Sequence, residues 1–303
     1  MATQNAPASM YREGRGLGIW EHKGKVAAVG IGHSPTARRW DETVETSLGA
    51  WGLMAARAAI EDAGVSPDLI DGVITSPSGL GEPWAPRDIP EDFAKAFSLT
   101  DNPEDGLSQL TADFMVQNMP ELTNVNYTMH GPGCMSNAVV VAAEAVGSGQ
   151  CKVALVVTGR GNLQGRYGQY GAQALNTVGG GNQWTNVWGP TGPYWVAWIF
   201  NNYLKKYNVN HDMMAPFVVN EKRNGLLTPS GFFAQHRPEP LTIEDYLAAR
   251  WIVKPANLFD CDIPIQVATA YIFASPEYAK DMKQKPVYIL NHVATNPKPR
   301  SLQ

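Results

Sequence analysis

One stretch constrains the chain more than any other. Residues 123–157 hold an extended run, Thr123 to Thr128, the tight turn His130-Gly-Pro-Gly-Cys134, and an Ala- and Val-rich helical run, Met135 to Val146. A second extended run, Val153 to Val157, follows the turn residues Gly147 to Gln150. A helix between two short β-branched runs is a βαβ unit, which needs parallel strands and a helix laid across them. The helical run is apolar on nearly every side, so the sequence predicts that it is buried on most of them.

The same alternation precedes it. Lys25-Val-Ala-Ala-Val-Gly-Ile-Gly32 reads as a buried strand, and from Asp41 apolar or small residues recur at Val44, Leu48, Trp51, Ala55 and Ala58. That is helical spacing, and Gly64 supplies its stop. Ser66-Pro67 starts a short helical turn, and Val73-Ile74-Thr75 is a second strand, so a mostly parallel sheet covered by helices is expected. A long connection rich in Pro, Gly and acids runs from Ser76 to about Glu104.

After Gly159 the composition turns to Gly, Asn, Gln and aromatics as far as Pro193, which suits a functional loop. Helices are expected at about Tyr194 to Lys206 and His211 to Arg223, and a third starts at Thr242, a cap with Asp245 three residues on. Strand character resumes over Leu258 to Ala274 and over Pro286 to Leu290.

The 303 residues, 44% hydrophobic and 17% charged, suffice for a large core and predict a chain folded almost throughout. A net charge of -4, without any Lys/Arg-rich block, argues against nucleic acid as a partner. No signal-peptide-like start and no apolar run of about 18 residues occurs, so a cytoplasmic protein without a membrane span is expected. Three cysteines, Cys134, Cys151 and Cys261, are too few and too scattered for a disulfide framework or a four-ligand zinc site.

Cys134 stands just before a helix, where the dipole end and the first N–H groups favour thiolate, the nucleophilic form of cysteine. The glycines before it permit a close ligand, and N–H groups past the turn suit a developing oxyanion. The residues alone leave two readings open: a nucleophile on a strand–turn–helix elbow, or a buried inert thiol. His130, four residues upstream, either touches the same site or anchors the turn. His22, His33, His211, His236 and His292 read as solvated or structural, and Cys261, between Asp260 and Asp262, as a packed strand residue rather than a metal ligand.

Gly133-Cys-Met-Ser-Asn-Ala138, Ala143-Glu-Ala-Val-Gly-Ser-Gly149 and Val153-Ala-Leu-Val-Val-Thr-Gly159 resemble the nucleophile helix and following strand of thiolases. The resemblance extends to residues 25–32, to Thr242-Ile-Glu-Asp-Tyr-Leu-Ala-Ala-Arg250 and to Leu258-Phe-Asp-Cys-Asp-Ile-Pro264. Together these look like the sterol-carrier, or lipid-transfer, branch of the thiolase superfamily.

The resemblance implies a layered αβαβα fold with an inserted helical loop domain, and Cys134 as the acyl-accepting cysteine. It divides the chain into an N-terminal arm (1–22), an α/β half (23–159), the loop domain (160–256), a return to the first half (257–285) and the start of a C-terminal half (286–303). The second half is expected to lie outside this chain, supplied by a longer polypeptide or by another chain. Implied too are acyl-CoA as substrate with coenzyme A as co-substrate and no permanently bound cofactor, a homodimer, and a small OB-fold/zinc-ribbon partner.

His130, Gly133, Met135 and Asn137 are expected to line the site; the aromatic segment from Tyr167 to Trp198 reads either as ordinary packing of the inserted layer or as pocket lining, and in the second case the rings of Trp184, Trp188 and Tyr194 would favour a bulky aromatic or polycyclic acyl group. Met135, Ser136 and Asn137 stand where thiolases carry small residues and a glycine, which narrows the pocket and points away from standard thiolysis. The expected activity is thiolysis or Claisen condensation through a cysteine acyl-enzyme. The alternatives are a retro-aldolase on a side-chain β-hydroxyacyl-CoA and a noncatalytic acyl-CoA or lipid-binding subunit.

Overall fold

The computed structural model describes residues 20–41, 43–76, 110–131, 135–161 and 192–292. The first strand, β1 (Ala27–His33), leads through a short 3-10 turn to helix α1 (Leu48–Ala63). Ser47 caps α1 by accepting from the Ala50 N–H, and Gly64, at φ 64°, ends it in the left-handed conformation that glycine adopts without strain. The predicted stop is therefore the observed one. Strand β2 (Gly72–Ser76), helix α2 (Ala112–Asn118), strand β3 (Tyr127–His130), helix α3 (Met135–Gly147) and strand β4 (Val153–Arg160) follow.

Between β4 and the next long strand lie α4 (Gly192–Tyr207), α5 (Ala215–Leu226), α6 (Phe232–His236), α7 (Ile243–Ala248) and the short antiparallel pair β5 (Trp251–Val253) and β6 (Ala256–Asn257). The chain then re-enters the main sheet as β7 (Val267–Ala274), turns through α8 (Pro276–Ala279) and ends its described part beyond β8 (Val287–Tyr288).

The six-stranded sheet has the order β3-β2-β4-β7-β1-β8. It is mixed rather than mostly parallel: β2 runs parallel to β3 and β4, whereas β7 is antiparallel to both β4 and β1, and β8 antiparallel to β1. Strand β4 is buried from Val153 to Gly159, as a central strand covered on both faces must be.

Two cores result. Leu48, Trp51, Ala55, Ala59 and Ile60 of α1 pack with Val73, Leu155, Val157 and Ile272 on one face, together with Phe114 and Met115 of α2. On the other face Ala138, Ala142, Ala145 and Val146 of α3 meet Ile74, Val156 and Phe273. Each fully buried large aliphatic or aromatic side chain contributes about 1.5–3 kcal/mol to this packing. α1 lies unusually close to β1, since a Cβ added at Gly30 would fall 2.6 Å from the Ala59 carbonyl oxygen.

Several expectations shift. The strand placed at Thr123 to Thr128 forms later, because the Asp71 carbonyl accepts from the Asn126 and Tyr127 N–H groups and thereby sets where pairing with β2 begins. The helix expected from His211 splits into a 3-10 turn, His211–Met214, and α5, where Pro216 suits a helix start but not an interior. Over Leu258 to Ala274 only β7 is strand; Leu258–Asp260 is a 3-10 turn held by a capping box between Asn257 and Asp260. Helix α3 is less enclosed than predicted, with Val139, Val140 and Val141 half-buried and Ser136 exposed. Among the described residues no helix is long and apolar enough to cross a membrane.

Candidate active site

The elbow begins where β3 ends. The Gly131 N–H donates to the Thr75 carbonyl at 2.8 Å, continuing the parallel pairing one residue beyond the strand. Gly131 is buried, and a Cβ there would meet the backbone nitrogen and Cα of Ala138 at 2.6 Å, so the chain passes directly beneath the first turns of α3. Gly133 and Cys134 lie outside the described residues, as do Trp184 and Trp188. Helix α3 starts at the residue after Cys134, and its positive dipole end therefore faces the C-terminal ends of β2, β3 and β4. Met135 opens this helix and Tyr194 lies in α4, but their side chains also lie outside what is described. Asn137, in the first turn of α3, is half-buried.

His130 is exposed, and its Nδ1 lies 2.8 Å from Thr75 Oγ1. Strand alternation sets its direction. Thr75 follows Val73, which packs with α1, and His130 is its register partner, so the imidazole stands on the α1 face of the sheet rather than beneath α3.

A row of hydroxyls that sequence reasoning missed occupies the α3 face instead. Register pairs Ile74 with Val156 and Val156 with Tyr271; one step further it pairs Ser76 with Thr158 and Thr158 with Thr269. The aliphatic and aromatic row thus gives way to Ser76, Thr158 and Thr269 at the C-terminal ends of β2 and β4. Thr158 Oγ1 and Thr269 Oγ1 are 2.8 Å apart, whereas the buried Ser76 Oγ has no hydrogen-bond partner among the described residues. The usable signal was the change from aliphatic to hydroxyl residues at the ends of two parallel strands, Ile74-Thr-Ser76 and Val156-Val-Thr158.

The surroundings of the two described cysteines disfavour the thiolate. Cys151 is buried against Gly72, and burial, with the Asp71 carboxylate adding to it, pushes its thiol up to about 12. Cys261, half-buried, is pushed up by burial and by Asp260 and Asp262. It follows the 3-10 turn and is not the packed strand residue that was expected. No group of three or more His, Cys, Asp or Glu among the described residues is placed to hold a metal.

Of the two expectations for His211, solvated or structural, the structural one holds, since the residue belongs to a largely buried cluster. Its Nε2 lies 2.6 Å from Asp260 Oδ2 and 2.8 Å from the Tyr246 hydroxyl, which donates to Asp260 Oδ1 at 2.6 Å. The Asn257 N–H donates to Asp260 Oδ2 at 2.7 Å. Tyr246 stacks on the imidazole at a ring separation of 5.2 Å and is wholly buried; burial and Asp260 raise its pKa above the ordinary phenol value. With its donors turned on one carboxylate, this cluster fastens α7 and the Leu258–Asp260 turn to the start of α5.

No family model matches the sequence. The chain is 26% identical over 240 residues to a steroid side-chain-cleaving aldolase of Thermomonospora curvata, a match over 78% of this chain and 54% of that protein. It is 26% identical over 271 residues to a 17-hydroxy-3-oxo-4-pregnene-20-carboxyl-CoA lyase of Mycobacterium tuberculosis, over 88% of this chain and 61% of that protein. The chain thus spans little more than half the length of the curated relatives it matches. Among solved structures, the Ltp2-ChsH2(DUF35) aldolase superposes with a TM-score of 0.64 at 22% identity, covering 88% of this chain and 60% of that one. Human mitochondrial 3-ketoacyl-CoA thiolase does so with a TM-score of 0.52 at 14% identity, covering 86% of this chain and 68% of that one.

Proposed function

We propose that this chain, which has the mixed α/β thiolase-like fold, forms part of an acyl-CoA retro-aldolase acting on the degraded side chain of a steroid or similar polycyclic lipid. The observation that carries the reading is the agreement of the two curated relatives, one a side-chain-cleaving aldolase and the other a carboxyl-CoA lyase. The thiolytic or condensing acyltransferase expected from the thiolase resemblance is the less supported chemistry. The replacement of small residues after Cys134 by Met135, Ser136 and Asn137 also favours a site turned from thiolysis to another reaction.

In a retro-aldol cleavage a base takes the proton of the β-hydroxyl, and the oxygen's electron pair forms the new ketone carbonyl. The bond between the β and α carbons breaks, its electrons pass to the thioester as an enolate, and the α carbon is then protonated. For a 17-hydroxy steroid carrying a 20-carboxyl-CoA the products are a 17-ketone and propionyl-CoA. The step needs no acyl-enzyme, so Cys134 need not act as a nucleophile. Its requirement is a site that excludes water and stabilises negative charge on the thioester oxygen. The reading extends to a DUF35-type partner, in keeping with the small partner the sequence implies, and to a homodimer.

The test uses the native protein with any subunit that co-purifies, incubated with 17-hydroxy-3-oxo-4-pregnene-20-carboxyl-CoA and no free CoA. Mass spectrometry should find the 17-ketone and propionyl-CoA in equal amounts, and Cys134→Ala should keep turnover within about three-fold, because no covalent step is lost. A strict need for free CoA, with an acyl group trapped on Cys134, would sink the reading in favour of thiolysis. Binding of the CoA ester without any turnover would leave only a binding subunit.

A further inference from the structure

We propose that Ser76 is a catalytic residue whose hydroxyl donates a hydrogen bond to the thioester carbonyl oxygen of the bound acyl-CoA. The inference deepens the retro-aldolase reading and rests on it for the identity of the ligand.

Three observations carry it. Ser76 is 1% exposed, and its buried Oγ has no hydrogen-bond partner among the described residues, although native proteins satisfy the large majority of such groups. The other hydroxyls of its row, Thr158 and Thr269, hydrogen-bond each other, so Ser76 alone in the row is left to serve something else. Its direction is fixed by register: Ile74, two residues earlier on the same face, packs against Ala138 and Ala142 of α3, and Ser76 therefore points to the same side, one step nearer the start of that helix. α3 runs back along the sheet from the end of β3 to the start of β4, which brings its positive dipole end over the C-terminal end of β2.

A neutral donor and a helix N-terminus converging from two sides suit an oxygen that becomes negative. In the proposed cleavage that oxygen is the thioester carbonyl, which takes up the electron pair of the broken carbon–carbon bond. Removed from water, one such donor is worth far more to the enolate than to the ground-state carbonyl. The Ser76 hydroxyl keeps its proton throughout and forms no covalent bond.

The test is Ser76→Ala in the native protein with any co-purifying subunit, with three readouts. The melting temperature should stay level or rise, because the substitution removes a buried hydroxyl that lacks a partner. The Kd of propionyl-CoA, measured by isothermal titration calorimetry, should weaken about 3- to 10-fold, and kcat for the 17-hydroxy CoA ester should fall about 100-fold. If the unsubstituted protein binds propionyl-CoA in a Ser76-dependent way but cleaves nothing, the retro-aldolase reading fails while the Ser76 contact stands. Equal affinities in the two proteins, no binding of propionyl-CoA by the unsubstituted protein, or a marked fall in melting temperature would each overturn the proposal.

Discussion

Cys151 and Ser76 sit at opposite ends of the same central strands, and their surroundings give them opposite chemistry. Cys151 lies at the start of β4 against Gly72, where burial and the Asp71 carboxylate hold the thiol neutral to about 12. An unfolded cysteine ionises near 8.5, so between about 8.5 and 12 the unfolded chain binds fewer protons than the folded one. The contribution of Cys151 to stability is thus complete below that window and is lost as pH rises through it. Two outcomes are expected: iodoacetamide at pH about 8 leaves Cys151 unmodified until denaturant is added, and Cys151→Ala reduces the fall in unfolding free energy between pH about 9 and 11. Rapid labelling of the folded protein would contradict the assignment. Sequence alone separated Cys134 from the other thiols by its place before a helix. It could not separate Ser76 from any other strand serine, because an absent hydrogen-bond partner is a property of packing.

At the scale of elements, local signals located most starts and stops. Gly64 ends α1, and the Thr242–Asp245 spacing forms the capping box that opens α7. Two boundaries failed for different reasons: the start of β3 depends on a distant partner, the Asp71 carbonyl, whereas the run after Leu258 is folded into a turn by a local capping box between Asn257 and Asp260 that its apolar residues concealed. The contact between the elbow and α3 was not legible either. Gly131 reads in sequence as a turn glycine, yet its structural demand is space for the Ala138 backbone. Gly131→Ala should push α3 away from β2 and cost about 1–3 kcal/mol in urea unfolding, with a larger proportional loss of turnover because the start of α3 moves. Unchanged stability would show that the backbone relaxes freely there.

Across the whole molecule, Glu144 of α3 joins segments at opposite ends of the described chain. Trp20 Nε1 donates to its Oε1 at 2.8 Å, His292 Nε2 lies 2.6 Å from the same oxygen, and His22 Nε2 stands 3.8 Å from Oε2. Burial pushes the Glu144 carboxyl up, but hydrogen bonds from His292 and Trp20 and the charges of His292 and His22 outweigh it and hold the group below the usual carboxylate range. A depressed carboxyl contributes stability above its unfolded value, near 4.3 for glutamate, and loses it as pH falls through the folded value. Amide protection at residues 20–26 and 287–292 should therefore be lower in Glu144→Gln than in the unsubstituted protein at pH about 6, and the difference should shrink as acid protonates the Glu144 carboxylate. Equal protection at pH 6 would show that Glu144 does not hold the two segments.

The sequence by itself determined the α/β class, the helix that follows Cys134 and the caps that bound α1 and α7, because periodicity, helix stops and capping spacings are written in neighbouring residues. Tertiary structure alone decided that β7, more than 100 residues after β4, inserts between β4 and β1 and makes the sheet mixed. It also turned His130 to the α1 face, gathered His211, Tyr246 and Asp260 into one buried cluster, and aligned Ser76 with Thr158 and Thr269 beneath the start of α3. Each of these depends on register and strand order between segments far apart in the chain, where free energy is gained only when both partners are in place.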